Sequence, residues 1–146
     1  LSLGAATFTG DPEMGLDEFT RGYALENGSL YEDTHWDRRP ETRHTYCNAA
    51  HGIIGAVLEA IDEENFREQT NHQIFEPLRM DGAGWFLSDI DTSRVATPYT
   101  WINARYSPLD HTAPAFYPAT TWRVSITGLA RFAQALMNGG ELEGVN

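Results

Sequence analysis

The apolar positions of this 146-residue chain fall into stretches of helical spacing separated by polar, Gly- and Pro-containing segments. Leu16, Phe19 and Tyr23 lie at i, i+3 and i+7, one face of a helix. Asp17 and Glu18 fall in its first turn, where negative charge suits the helix dipole. Asn27-Gly28, a pair able to adopt positive φ, is the expected stop. After Asn48, a suitable N-cap residue, Ile53, Ile54, Val57, Leu58 and Ile61 make a continuous apolar stripe. Gly52, Gly55 and Ala56 on the same helix would allow another element to approach closely. A third helix is expected from about Asn65 to Phe75, closed by Pro77, which disfavours helical geometry at Glu76.

The last helix is marked by Leu129, Phe132, Ala133, Leu136 and Met137. Ser125 or Thr127 is its expected cap, and Asn138-Gly139-Gly140 its end. Leu1 to Gly15 and Leu30 to Thr45 read as loop. Asp81 to Pro118 is rich in aromatic residues and carries Pro98, Pro108, Pro114 and Pro118, which predicts loop with short extended pieces. A connection that long inside a compact domain usually carries function or leans on a neighbour. The fold class expected is therefore mainly α with short strands, residues 1–146 forming a single domain.

Charge narrows the partners. The chain has 21 acidic residues against ten basic ones, all Arg, for a net charge of −11. An Arg-favouring genome and adaptation to salt both account for the missing lysines. Either way nucleic acid, whose phosphates need a basic surface, is excluded as an expected partner. No apolar run reaches the ~20 residues of a membrane span, and no signal peptide is visible. The chain opens on Leu1, so its true start is expected to lie upstream, and the localisation is left open between cytoplasmic and periplasmic or secreted. One cysteine, Cys47, rules out an intrachain disulfide and a multi-cysteine metal site.

Three blocks carry a resemblance. The first runs Pro40-Glu41-Thr42-Arg43-His44-Thr45-Tyr46-Cys47-Asn48 into the Gly-containing apolar helix. Ile74-Phe75-Glu76-Pro77-Leu78-Arg79-Met80 is the second. Tyr117-Pro118-Ala119, Ser125 to Phe132 and Leu136-Met137-Asn138-Gly139-Gly140 make the third. In this order they resemble the serine β-lactamase and penicillin-binding-protein family, in particular class C β-lactamases and their esterase and peptidase relatives. The resemblance implies a helical subdomain of the β-lactamase/DD-peptidase-like α/β fold. It also implies a parent enzyme that hydrolyses a small-molecule ester, amide or β-lactam through an acyl-serine.

Under that resemblance Tyr46 matches the proton-transfer tyrosine and Asn48 the orienting asparagine of the Tyr-x-Asn element. Neither a cofactor nor a metal is implied. The Ser-x-x-Lys motif cannot occur in a chain without Lys, and the Lys-Thr-Gly or His-x-Gly strand is expected beyond Asn146. This chain is thus expected to be inactive alone, with apolar faces open to self-association where the sheet would lie. The alternative is a non-catalytic helical binding module derived from the same fold.

Other residues have simpler readings. Tyr46 as a packed ring and Asn48 as a helix cap remain open alternatives to their chemical roles. Cys47 fits a small packed side chain. His35, His44, His51, His72 and His111 have no ligand spacing, and Asp110-His111 adjacency is not the geometry of a triad. Trp85, Trp101 and Trp122 are core or groove residues. Against the family pattern, Glu41 and Arg79 each replace Gly, Gly128 replaces Asp, and Thr120 and Thr121 replace Gly, which suggests altered loop geometry.

Overall fold

The computed structural model describes residues 6–36, 39, 41–42 and 44–144. Helix α1 (Leu16–Ala24) buries the expected face, Leu16, Phe19 and Tyr23. It stops earlier than Asn27-Gly28, and for a different reason. The chain folds back so tightly that a Cβ on Gly28 would sit 2.2 Å from the Gly22 carbonyl oxygen. Leu30 N–H then donates to that oxygen at 3.0 Å, satisfying one of the open carbonyls at the helix end.

Helix α2 (Asn48–Asp62) starts one residue before the position expected. Cys47 is its N-cap, in extended geometry, so Asn48 is the first helical residue and not the cap. The orientation of α2 is a second correction. Its buried residues are Ala49, Gly52 and Gly55, whereas Ile54, Val57, Leu58 and Ile61 of the apolar stripe face outward, Ile61 at 68% exposure. The small residues are the ones that meet the rest of the chain. Positions where a Cβ would lie 2.6 Å from Phe116 Cβ (Gly52) and 2.8 Å from Leu16 Cδ1 (Gly55) explain the choice of glycine.

The third helix, α3 (Phe66–Thr70), is capped by Asn65, whose side chain accepts from Arg67 N–H at 2.9 Å. It continues as one π-helical stretch, Asn71–Phe75, before Pro77. The extra residue in that turn points Phe75, Leu78 and Met80 into one core. Helix α4 (Ile126–Met137) is capped by Ser125, which accepts from Gly128 N–H at 3.1 Å. It too turns small residues inward, Gly128 and Ala135, and leaves Ile126, Leu129, Leu136 and Met137 exposed.

Four short strands complete the architecture among the described residues. Strand β1 (Thr7–Thr9) lies in the segment expected to be loop, and pairs antiparallel with β4 (Thr112–Pro114) in the register Phe8↔Ala113. Strands β2 (Tyr99–Ile102) and β3 (Arg105–Pro108) form a hairpin across Asn103 and Ala104, both at positive φ. Two apolar clusters hold these pieces. One gathers Leu16, Phe75, Leu78, Met80, Trp85, Tyr117 and Ala135; the other gathers Ala6, Phe19, Tyr23, Ala49, Ala115 and Phe116. Helix α1 ties them together, contributing Leu16 to the first and Phe19 to the second.

Glu41 and Arg79 adopt φ of 65° and 52°. The backbone at these two positions has a left-handed conformation that suits glycine.

Candidate functional site

The N-terminal end of α2 presents Tyr46, Cys47 and Asn48 in succession. Tyr46 lies in the extended segment before the helix and is 74% exposed. Cys47 turns inward against Tyr23, and this contact with the Cys47 thiol sits within the second apolar cluster. Burial above all, then Cys47 and Glu32, pushes the Tyr23 phenol up to about 12. On the opposite side His51 Nδ1 lies 3.3 Å from the Cys47 carbonyl oxygen. Cys47 is thus a packed side chain that fixes the segment, and it leaves its two neighbours to face outward and sideways.

Asn48 is partly buried, and its Oδ1 is enclosed without a hydrogen-bond partner among the described residues. An enclosed acceptor with no donor costs free energy, on the order of 1–3 kcal/mol. The residue lines a cleft of about 380 Å³ together with Phe116, Thr120, Thr121, Trp122 and Arg123. The approach of Gly52 to Phe116 sets the width of this cleft, because α2 carries Asn48 one turn before Gly52.

A second cleft, of about 560 Å³, adjoins it across Trp122 and Arg123. His111, Arg94, Asp91 and Ser125 are in its lining. Among the described residues no hydrogen bond joins His111 to a serine; its carbonyl accepts from Gly10 N–H at 2.7 Å. The three tryptophans separate by role. Trp85 is core, with its Nε1–H donating to Thr70 Oγ1 at 2.7 Å. Trp122 stacks on Phe75, 5.8 Å between centroids, while forming the wall between the clefts. Trp101 is exposed on the hairpin, edge to face with Tyr106.

Among the described residues no group of three His, Cys, Asp or Glu side chains could hold a metal ion, and no helix is long and apolar enough to cross a membrane. Thr120, Thr121 and Arg123 were not singled out as binding residues by sequence. The threonines stood out only as departures from Gly, and Arg123 carries no sequence signal of its own.

The model of the beta-lactamase family matches residues 6–145, and the chain belongs to that family. Solved structures agree on the fold. The penicillin binding protein from Bacillus halodurans superposes with a TM-score of 0.66 at 19% identity, covering 86% of this chain and 37% of that one. The octameric penicillin-binding protein homologue from Pyrococcus abyssi gives 0.58 at 18%, covering 91% and 34%. D-amino acid amidase from Ochrobactrum anthropi SV3, complexed with D-phenylalanine, gives 0.58 at 17%, covering 70% and 33%. The chain thus spans about a third of the length of these structures. A comparison with curated proteins finds no match.

Proposed function

We propose that this chain is the helical lobe of a serine hydrolase that acylates and deacylates a small ester, amide or β-lactam, with Tyr46 and Asn48 at the rim of the active site. The observation that carries the reading is the enclosed, partnerless Asn48 Oδ1 two residues from an exposed phenol. Asn48 orients the substrate through its amide. Tyr46 passes a proton between the nucleophile and the leaving group. The nucleophile and its lysine come from the rest of the parent polypeptide, since a chain without Lys cannot hold Ser-x-x-Lys. The chain by itself is inactive.

The test is hydrolysis of nitrocefin and of short p-nitrophenyl esters by the parent protein, with and without Tyr46→Phe. Loss of turnover on the order of 100-fold is expected from removing a proton-transfer group. Unchanged kcat in the substituted enzyme would remove Tyr46 from the mechanism.

A second reading, a non-catalytic binding module, is favoured by the outward apolar faces of α2 and α4. Faces of this kind mark interaction surfaces. Under it the chain self-associates or binds a partner through Ile54, Ile61, Leu136 and Met137. Sedimentation of the wild-type chain against an Ile61→Glu, Met137→Glu variant separates the two: a monomer in both cases removes self-association.

A further inference from the structure

We infer that a cleft at the start of α1, lined by Glu59 and Tyr117, binds the primary ammonium group of an alkylamine. It shares no residue with Tyr46 to Asn48, so the inference stands apart from the acyl-transfer reading.

The cleft has a volume of about 410 Å³, and Glu13, Asp17, Glu18 and Glu59 line it with no basic residue among them. Surface carboxylates are ordinary in a chain with 21 acidic residues, so their gathering says little alone. Two buried groups add to it. Glu59 is half-buried; its Oε1 accepts from Phe66 N–H at 2.9 Å, and its other oxygen has no hydrogen bond among the described residues. Tyr117 is 3% exposed, and its hydroxyl is enclosed without a partner among the described residues. Burial first, and then Glu59, push this phenol upward, so the hydroxyl end lies toward that carboxylate. The Arg67 N–H opposes them, but it is committed to Asn65 Oδ1 at 2.9 Å.

The neighbouring positive charges are used elsewhere. Among the described residues Asp17 alone of the four carboxylates has an ion pair, an exposed one with Arg21 at 2.8 Å. Arg67 pairs with Asp89 at 3.0 Å and lies outside the lining. The open N–H groups in the first turn of α1 supply about half a positive charge, less than one carboxylate of the four. A cation is what the cleft lacks.

The donor set selects the kind of cation. Among the described residues no three His, Cys, Asp or Glu side chains are placed to hold a metal ion. With one open oxygen, Glu59 cannot take the two parallel N–H bonds of a guanidinium, whereas an ammonium places its three donors singly. The second acceptor is the Tyr117 oxygen. Met14, Leu16 and Phe86 give a carbon stem its apolar wall. None of these 146 residues is Lys, so the ammonium is not one of their own.

The probe pair is n-butylammonium and 1-butanol, equal in non-hydrogen atoms and different in charge. Each is titrated into the 146-residue chain at neutral pH and followed by ¹H–¹⁵N resonances. The ammonium is expected to bind more tightly by on the order of tenfold, the range of one charge-assisted hydrogen bond. Glu59→Gln removes the preference, and Glu26→Gln, outside the cleft with the same loss of charge, leaves it intact. Tyr117→Phe keeps the ring and lowers the ammonium affinity about threefold. In the wild type the ammonium shifts the amides of Gly15, Leu16 and Asn65, a readout that stands even where a variant does not fold. Nα-acetyl-lysine methylamide offers the same group on a peptide: affinity above butylammonium assigns the site to a partner's lysine side chain, affinity below to a free amine, and both keep the ammonium. Equal affinities for the two probes, a preference that survives Glu59→Gln, or shifts confined to residues outside this cleft would each overturn the inference. So would calcium chloride moving the same three amides at lower concentration than butylammonium.

Discussion

Replacing Gly52 with Ala tests the most confined contact in the lobe. An added Cβ would stand 2.6 Å from Phe116 Cβ, 3.0 Å from Phe116 Cα and 3.1 Å from Phe19 Cε1. Carbon atoms pack at about 3.5–4.0 Å, so the overlap is roughly 1 Å. Part of the obstruction is main chain, which cannot swing aside as a side-chain tip can. Overpacking of this kind costs about 1–3 kcal/mol, and the upper end applies here. Alanine returns about 1 kcal/mol through its better helix propensity. The net expected loss is about 2 kcal/mol, a large share of a stability of roughly 5–15 kcal/mol. Gly55→Ala is the internal comparison. There the closest atom is Leu16 Cδ1 at 2.8 Å, the movable end of a side chain, so that loss should be about 1 kcal/mol smaller. Urea unfolding followed by circular dichroism gives both numbers, with unchanged slopes showing that the native state is the one affected. A Gly52→Ala midpoint at or above wild type would refute the close packing of α2 on the Phe116 loop.

Two other outcomes follow from the backbone and from burial. Arg79 sits at φ 52°, a conformation that costs a non-glycine residue about 1–2 kcal/mol. Its contact with Glu143, 3.8 Å and exposed, adds little. Arg79→Gly should raise the melting temperature by about 1–3 °C after the greater freedom of unfolded glycine is deducted, and a lower value would contradict the strain. Burial, and then Asp17, raise the Glu59 carboxyl above its ordinary value of 4.5, against the opposing Phe66 N–H that donates to it. With the folded value raised, the stability Glu59 contributes is full below pH 4.5 and is lost as pH rises through the folded value. Glu59→Gln should therefore raise the melting temperature near neutral pH and converge on wild type in acid; a constant difference across pH would exclude the titration.

The parts legible in the sequence were those where one face of an element decides everything. Leu16, Phe19 and Tyr23 are both the apolar face of α1 and its buried face, so periodicity was enough. In α2 the two come apart. Periodicity locates the apolar residues, but which face this chain covers depends on Phe116 and Leu16 arriving against the glycines, which no local pattern encodes. The pairing of β1 with β4 was hidden for a similar reason: each strand is three residues long and its partner lies across most of the chain. Tyr46 and Asn48 were reached only through resemblance. Arg123 was out of reach altogether, because only the fold places it in the wall shared by the two clefts.

The outward stripe of α2 changes how ionic strength acts on this molecule. In dilute buffer, copies that carry −11 hold one another at a distance. At 0.1 M salt the Debye length is about 10 Å, and that repulsion no longer reaches across the solvent between them. The same ions do nothing to shield Ile54, Val57 and Ile61, whose attraction persists at short range. Self-association through this stripe, as proposed above, should therefore strengthen with added salt, which sedimentation at low and high salt checks.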